Sequence, residues 1–472
     1  MTRMANPQIH FADIEFLAQG VDLDPILKRI SDFLDHQPKI VERVRQDLER
    51  GLKKPDTGRT AMTPAQVLRS LILMRVKNWD YRELSERIAD GYTLRRFTGF
   101  YSQRVPKHDA FNRAFNKLRP QTLKALNDLV LKAAVDLGVQ DGKKLRVDTT
   151  VVETDIHHPT DNTLLWDVVR VITRLIGRLA ELVPNGINGF TNRRRSARRR
   201  MQEIQRMTAR QRHDQQRDKY HQLIAITQQV VHNARGVLEK TKDQGAADLM
   251  DELAIGELRR KIDHYCQLGD RVIHQSRRRV LEGEQVPSDE KIYSIFETHT
   301  DLIMRGKVQK PIEFGHKIFL AESARGLITQ YRVLEGNPCD QAHVTPSLQR
   351  HKETFGFAPA LYSSDRGFFS AENIKACQQA PVKLVCIPQR GGKRTSEREA
   401  FEKSPEFKKG QRFRAGIEGR ISVLFRGRGM KRCLAEGRDR FEVLVGAAVL
   451  TNNLMTIARL LNQKQKRFRR AA

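Results

Sequence analysis

The chain has 472 residues, with 85 Lys and Arg against 56 Asp and Glu and a formal net charge of +29. At ~150 residues per domain this is two to four domains, and the charge predicts a polyanionic partner, either nucleic acid or an anionic membrane surface. The longest wholly apolar run, residues 443–450, is far short of the ~20 that a membrane span needs; the N-terminus has no signal-peptide stretch, and the five Cys form no CxxC pair, so secreted, disulfide-stapled and membrane-spanning readings give way to a cytoplasmic protein that faces nucleic acid.

Residues 1–140 read as a helical domain. Thr63-Pro64 is a helix start, since a hydroxyl caps free N–H groups and Pro suits the first helical position. Val67, Leu68, Leu71, Ile72 and Val76 then recur at helical spacing. Short helices follow around Tyr81–Ile88 and Ala110–Leu118, with Arg69, Arg75, Arg82, Arg87, Arg95 and Arg96 expected on outward faces. That pattern fits a helix-turn-helix-like DNA-binding module, or a plain helical bundle with solvated charges.

KLRVDTTVVETD at 144–155 is rich in Val and Thr and reads as a strand. An amphipathic helix follows from Leu164 to Leu182, stopped by Pro184-Asn185-Gly186. The basic run NRRRSARRR at 192–200 and two more amphipathic segments, around 220–238 and 246–268, complete a helical block. His157-His158 lacks further ligands at zinc spacing and reads as a turn before Pro159, with DNA or core contacts as the other readings. From 291 the chain alternates. A hairpin is expected over 312–336 around Ser323–Gly326, a strand and turn over 359–370, a short helix over 371–380 and a strand over 382–389. Residues 390–412 read as a mobile polar loop. Helices are expected around 417–425 and 443–461, and the basic tail 464–470 is expected to be disordered unless bound.

Three acids stand out by context: Asp148 within a strand, Asp365 at a strand end before Arg366-Gly367, and Glu418 in a helical stretch. A carboxylate buried in a sheet without a partner costs several kcal/mol, so it calls for a cation. Carboxylates from separate elements are the donors that Mg²⁺ takes. Singly, each has a plainer reading as turn former, salt-bridge partner or helix-dipole complement; the order strand-Asp, hairpin, strand-Asp-turn, strand, helix-Glu is what gives them weight. Glu397, Glu399, Glu402 and Glu406 are rivals for the third position.

On these residues the chain resembles insertion-sequence transposases of the DDE type (ISNCY-type and related). VDTTVVETDIHHPTD resembles their first-Asp segment, FGHKIFLAESARGLITQYRV their second and third strands, and LYSSDRGF their second-Asp strand. The third-acid signature has Tyr, two residues, Arg, three residues, Glu, six residues, Lys. Arg414 and Glu418 match it; Gln411 and Phe425 stand at the Tyr and Lys positions, with Arg426 one residue late.

The resemblance spans most of 60–450 and implies an α/β RNase H-like core, a mixed sheet with flanking helices, plus an N-terminal helical domain and a large helical insertion. The implied division is 1–140 for the helical, helix-turn-helix-like domain, 141–159 for the first core strand, 160–290 for the basic insertion, 291–462 for the rest of the core and 463–472 for a basic tail. Asp148, Asp365 and Glu418 would be catalytic and hold Mg²⁺, with Mn²⁺ as substitute. Double-stranded DNA, as terminal inverted repeats and target, would be the partner, bound by a homodimer or higher oligomer on paired ends. DNA contacts are expected from Arg193, Arg194, Arg195, Arg198, Arg199 and Arg200 in the insertion, and from Arg414, Arg420, Arg426 and Lys431 around the third acid. The readings left open are a non-catalytic DNA-binding descendant of such an enzyme and an RNA-associated basic protein, for which no run of stacking aromatics is seen.

Overall fold

In the computed structural model, which describes residues 2–4, 11–20, 22–53, 59–183, 187–242, 248–304 and 311–471, the chain forms two compact units. Unit 1 comprises residues 1–153 and 316–472, and unit 2 residues 154–315. The expected helix stop at Pro184-Asn185-Gly186 lies outside the described residues.

Unit 1 begins with β1 (Thr2–Met4), α1 (Phe11–Ala18), α2 (Pro25–Asp35), α3 (Pro38–Glu49) and β2 (Arg59–Ala61), β1 pairing with β2 in parallel. Then come α4 (Pro64–Lys77), α5 (Tyr81–Asp90), α6 (Tyr92–Thr98), α7 (His108–Phe115) and α8 (Pro120–Asp136). Local chemistry sets several starts. Asp24 accepts from the backbone N–H of Ile26 and Leu27 ahead of Pro25, and Thr63 and Gln66 form a reciprocal capping box ahead of α4. The helices bury Leu68, Ile72, Phe97, Phe111, Leu123 and Val130 in one apolar cluster. Two of the expected outward arginines turn inward instead. Arg69 binds Asp35 at 2.6 Å and the Phe97 carbonyl at 3.0 Å, and Arg95 donates to the carbonyls of Tyr101 and Gln103, both at 2.7 Å. Helix C-terminal carbonyls without intrahelical partners attract such donors.

β3 (Lys144–Thr154) carries the chain to the boundary. Unit 2 holds α9 (Asp161–Leu182), α10 (Arg194–Arg206), α11 (Ala209–Lys240), α12 (Leu249–Ser276) and β4 (Asp301–Met304). Val168, Ile172, Leu223, Val230, Ile262 and Val272 fill a core between its helices. Close approach is possible at Gly269, where any Cβ would press on Val168 and Val231. β4 pairs antiparallel with the first residues of β5 (Ile312–Ser323), Asp301 opposite Gly315.

The rest of β5 returns the chain to unit 1, followed by β6 (Ile328–Val333), α13 (Val344–Phe355), β7 (Leu361–Ser363), α14 (Ala371–Gln379) and β8 (Leu384–Cys386). Next are α15 (Ser396–Lys403), α16 (Pro405–Gly427), β9 (Arg432–Cys433) and α17 (Arg438–Ala471). The sheet of unit 1 runs β6-β5-β3-β7-β8, with β9 also paired to β3. β5 and β6 are antiparallel, whereas β3, β7 and β8 are parallel. It is therefore a mixed sheet with helices packed against it.

Two expectations need correction. Of the expected loop 390–412 only residues 390–395 are loop, and the rest is helical: Thr395 caps α15 and Ser404 caps α16, each accepting from the third helical N–H. The polar composition there belongs to the solvent faces of two helices. The tail 464–470 is likewise helical, continuing α17. α17 also carries a stretch, Arg438–Arg467, long and apolar enough to cross a membrane, but 78% of its apolar window is buried inside the protein. Leu450, Leu454 and Ile457 spend that surface on the helical core. Asn453, fully buried, accepts from the Ile328 N–H at 2.8 Å and donates to Asn127 at 2.7 Å, tying α17 to β6 and α8.

Strands and α16 are joined by one buried carboxylate. Glu322 on β5 is inaccessible to solvent. Its Oε2 accepts from Arg146 Nε on β3 at 2.8 Å, and its Oε1 from Arg420 Nε on α16 at 2.8 Å. Gly416 gives Arg146 room to reach along α16, and Gly410 lets the same helix lie against Cys386 of β8; a Cβ at either position would overlap those side chains.

Glu322→Ala strands two half-buried guanidinium groups, and removing one partner of a buried pair costs ~3–5 kcal/mol. Urea denaturation of the variant is expected to show a loss of that order. A midpoint indistinguishable from that of the parent protein would contradict the bridging role.

Candidate active site

The parallel pairing of β3 with β7 sets Arg146 opposite Ser363. Two residues further along each strand stand Asp148 and Asp365, so the register brings both acids to one end of the sheet. Asp365 has left the strand and caps the short turn that follows, its Oδ1 accepting from the Gly367 N–H at 2.8 Å. α16 lies across the same end. Ser363 Oγ donates to the Gly410 carbonyl at 2.9 Å, and Gln411 Nε2 donates to the Cys386 carbonyl at 2.6 Å. One helical turn on from these anchors stands Arg414, and one more turn reaches Glu418.

Arg414 is the meeting point. Its Nη2 lies 2.9 Å from Asp148 Oδ2 and 3.9 Å from Asp365 Oδ2, and its Nη1 lies 3.0 Å from Glu418 Oε1. The three acids singled out in the sequence thus come together around one guanidinium. The rivals stand apart. Glu402 is taken by Arg398 at 2.9 Å and the Gln389 N–H at 2.8 Å, and Glu399 by Lys403 at 2.6 Å.

A fourth carboxylate, Asp340, was not singled out in the sequence. Its Oδ1 accepts from Thr149 Oγ1 at 2.9 Å and pairs with Lys317 Nζ at 2.8 Å. A Cβ on Gly367 would touch both Asp340 and Asp365 at 3.0 Å, so the two carboxylates flank one backbone turn. Lys317 had a signal, a cation in the apolar middle of β5 beside Ile318, Phe319 and Leu320. Asp340 had none, because it opens a short 3-10 turn, Asp340–His343, and gains its place only from the tertiary fold.

The accessibility of the acids is graded. The Asp148 side chain is 12% exposed, that of Asp365 37% and that of Glu418 67%. Burial pushes the Asp148 carboxyl up to about 6; Arg414 opposes the rise, and the charges of Asp365 and Asp340 add to it. Four carboxylates here face two cations, Arg414 and Lys317, so the cluster is short of positive charge. Its hard oxygen donors suit a divalent cation in chemistry and in charge. In this form a guanidinium stands among them, and among the described residues no group of three or more His, Cys, Asp or Glu is assembled to hold a metal ion.

The expected DNA-contact residues fall into distinct settings. Arg426 and Lys431 are exposed. Arg420 is turned inward onto Glu322 and onto Asn452 Oδ1 at 3.0 Å. Arg414 is committed to the acids. In unit 2, Arg200 pairs with Glu203 at 2.6 Å and Arg199 lies 3.7 Å from it. Arg194, Arg195 and Arg198 are exposed and Arg193 half-buried. His157 Nε2 donates to Asp167 Oδ2 at 2.7 Å, a bond that raises its pKa, so the histidine pair also makes a contact within the protein.

Comparison with known families finds that residues 15–117, which cover most of the N-terminal helices, match the model of a transposase domain (DUF772). The match supports a transposase family over that segment, under a quarter of the chain, and does not extend to the acids. No curated protein and no solved structure matches the chain.

Asp148 has a proton affinity raised by folding, so the native state loses stability as pH rises from about 4 to about 6. Asp148→Asn removes the charge that burial penalises. At pH 7 the variant is expected to be more stable than the parent by ~1–3 kcal/mol, the linkage value of a shift of this size. Near pH 4 the difference should vanish. Urea midpoints of both proteins at the two pH values give the comparison, and a variant less stable at pH 7 would contradict it.

Proposed function

We propose that the chain is a DDE-type transposase, a metal-dependent enzyme that binds the terminal inverted repeats of its insertion sequence, hydrolyses the 3′ ends and joins them to target DNA. The observation that carries this reading is the convergence of Asp148, Asp365 and Glu418, from β3, the turn after β7 and α16, on Arg414. The strand order adds support. Numbering β3, β5, β6, β7 and β8 in chain order gives 3-2-1-4-5 across the sheet, with the first three strands leading into two parallel ones. That is the arrangement expected of an RNase H-like core, and the transposase-domain similarity of residues 15–117 points the same way.

In this reading Asp148, Asp365 and Glu418 hold Mg²⁺ or Mn²⁺, which when bound supplies an activated water and charge stabilisation at the departing 3′ oxygen. Asp148, buried and short of positive charge, is the acid with most to gain from a cation. Asp340 and Lys317 fix Thr149 beside it. Arg414 must leave Asp148 to meet a phosphate, where its fork can bind two oxygens. Arg426 and Lys431 extend a positive surface along α16 and the segment after it, and the arginines of α10 offer further contacts to duplex DNA. The N-terminal helices would recognise the terminal repeats, and synapsis of two ends calls for a dimer or higher oligomer.

The test is 3′-end nicking of a labelled duplex built from the inverted repeats that flank the encoding gene, run beside gel-shift binding of the same DNA. Asp148→Asn, Asp365→Asn and Glu418→Gln are each expected to bind normally and to nick at least a hundredfold more slowly. Chelation of divalent metal should stop the parent enzyme, and Glu397→Gln should nick normally. Binding with no metal-dependent nicking by the parent would favour the non-catalytic reading, and nicking that survives Asp148→Asn would remove that residue from the site.

A further inference from the structure

α9 and α10 of unit 2 enclose an open cleft of about 480 Å³, within the ~300–1,000 Å³ of small-ligand sites. Trp166 and Arg170 line it from α9, one turn apart. Arg194 and Arg198 line it from α10, also one turn apart. Among the described residues the one carboxylate on its wall, Asp167, is already paired: one oxygen holds Arg170 at 2.6 Å and the other His157 at 2.7 Å. Arg170 is further fixed over the Phe296 ring, 5.5 Å from its centroid. Arg194 and Arg198 make no ion pair among the described residues, in contrast to Arg199 and Arg200 beside them, which share Glu203 with Lys219. The arginine run is thus divided between a face paired to Glu203 and a cleft with three guanidinium groups and an indole.

We infer that this cleft binds one unpaired nucleotide of single-stranded DNA, its base stacked on Trp166 and its phosphates held by Arg170, Arg194 and Arg198. The inference rests on DNA as the partner proposed above. Guanidinium forks match phosphate oxygens bidentately, and an aromatic face accepts any base, which gives binding without sequence preference. A concave site of this size takes a nucleotide swung out of a helix or at a single-stranded end, not a duplex groove surface. Arg170 is held ready by Asp167 and pays little ordering cost on binding.

The chain has two Trp, and Trp79 lies in the helical core of unit 1. In full-length Trp79→Phe protein the emission therefore reports on Trp166 alone. An oligothymidylate eight nucleotides long is expected to quench it and to bind about tenfold more tightly than an abasic oligomer of equal length, in keeping with ~1–3 kcal/mol per stacked base. Arg194→Ala with Arg198→Ala, both exposed and harmless to the core, should weaken the oligothymidylate at least tenfold. Trp166→Phe should keep most of the affinity in a gel shift, and Trp166→Ala should erase the preference over the abasic strand. Equal affinity for abasic and base-bearing strands, or quenching unmoved by the double arginine variant, would overturn the inference. Failure here with metal-dependent nicking intact sinks only the cleft, whereas base-dependent quenching without any nicking sinks only the proposed activity.

Discussion

Glu322 is the constraint on which the candidate site depends. A carboxylate fully out of water needs its charge answered, and here two guanidinium groups answer it from different elements, Arg146 of β3 and Arg420 of α16. β3 carries Asp148 and α16 carries Glu418, so the bridge sets the helix against the strand at a fixed height. Arg146 reinforces the setting by donating to the Phe413 carbonyl at 2.6 Å, one residue before Arg414. A buried triad of this kind contributes little net stability compared with a well-packed apolar set. What it supplies is register. An apolar contact could slide by a helical step, while two guanidinium groups, each held to its own oxygen of one carboxylate, cannot.

The site built on that register is itself a place of unrelieved charge. Asp148 lies in the sheet with Asp365 and Asp340 near it, and its one direct cation is shared with two other acids. Each feature works against stability, and each raises the attraction for positive charge. Tension between folding and binding of this kind is common where side chains are kept for chemistry. Arg414 relieves part of it in the present form, as the counter-ion that all three acids share.

Much of this was legible in the sequence. The Val- and Thr-rich run around Asp148, the hairpin, and the short strand before Asp365 each carried a local pattern, and each forms where expected. Parallel neighbours then bring Asp148 and Asp365 together through a register that no local pattern encodes. α16 was legible only at its apolar end, because residues 396–412 have the composition of a loop and owe their helicity to caps and to packing on β8. Asp340 was invisible for the same reason: its role comes from Lys317 and Thr149, which are distant in the chain. Arg420 shows the converse. Its basic neighbourhood suggested a phosphate contact, and the fold spends it on Glu322.

α16 has a further property that follows from its glycines. Gly410, Gly416 and Gly419 lie within the helix, and Gly costs ~1 kcal/mol relative to Ala at such positions. On its own, this segment would be a poor helix former. Close approach to Cys386 and Arg146 requires two of those glycines, so the weakness in isolation is the condition for intimate packing in the whole. The helix that presents Arg414 and Glu418 is therefore ordered by the sheet beneath it and not by its own propensity. A nascent or partly unfolded chain would carry all the acids but hold them unassembled, so the cluster around Arg414 forms only once the sheet is complete.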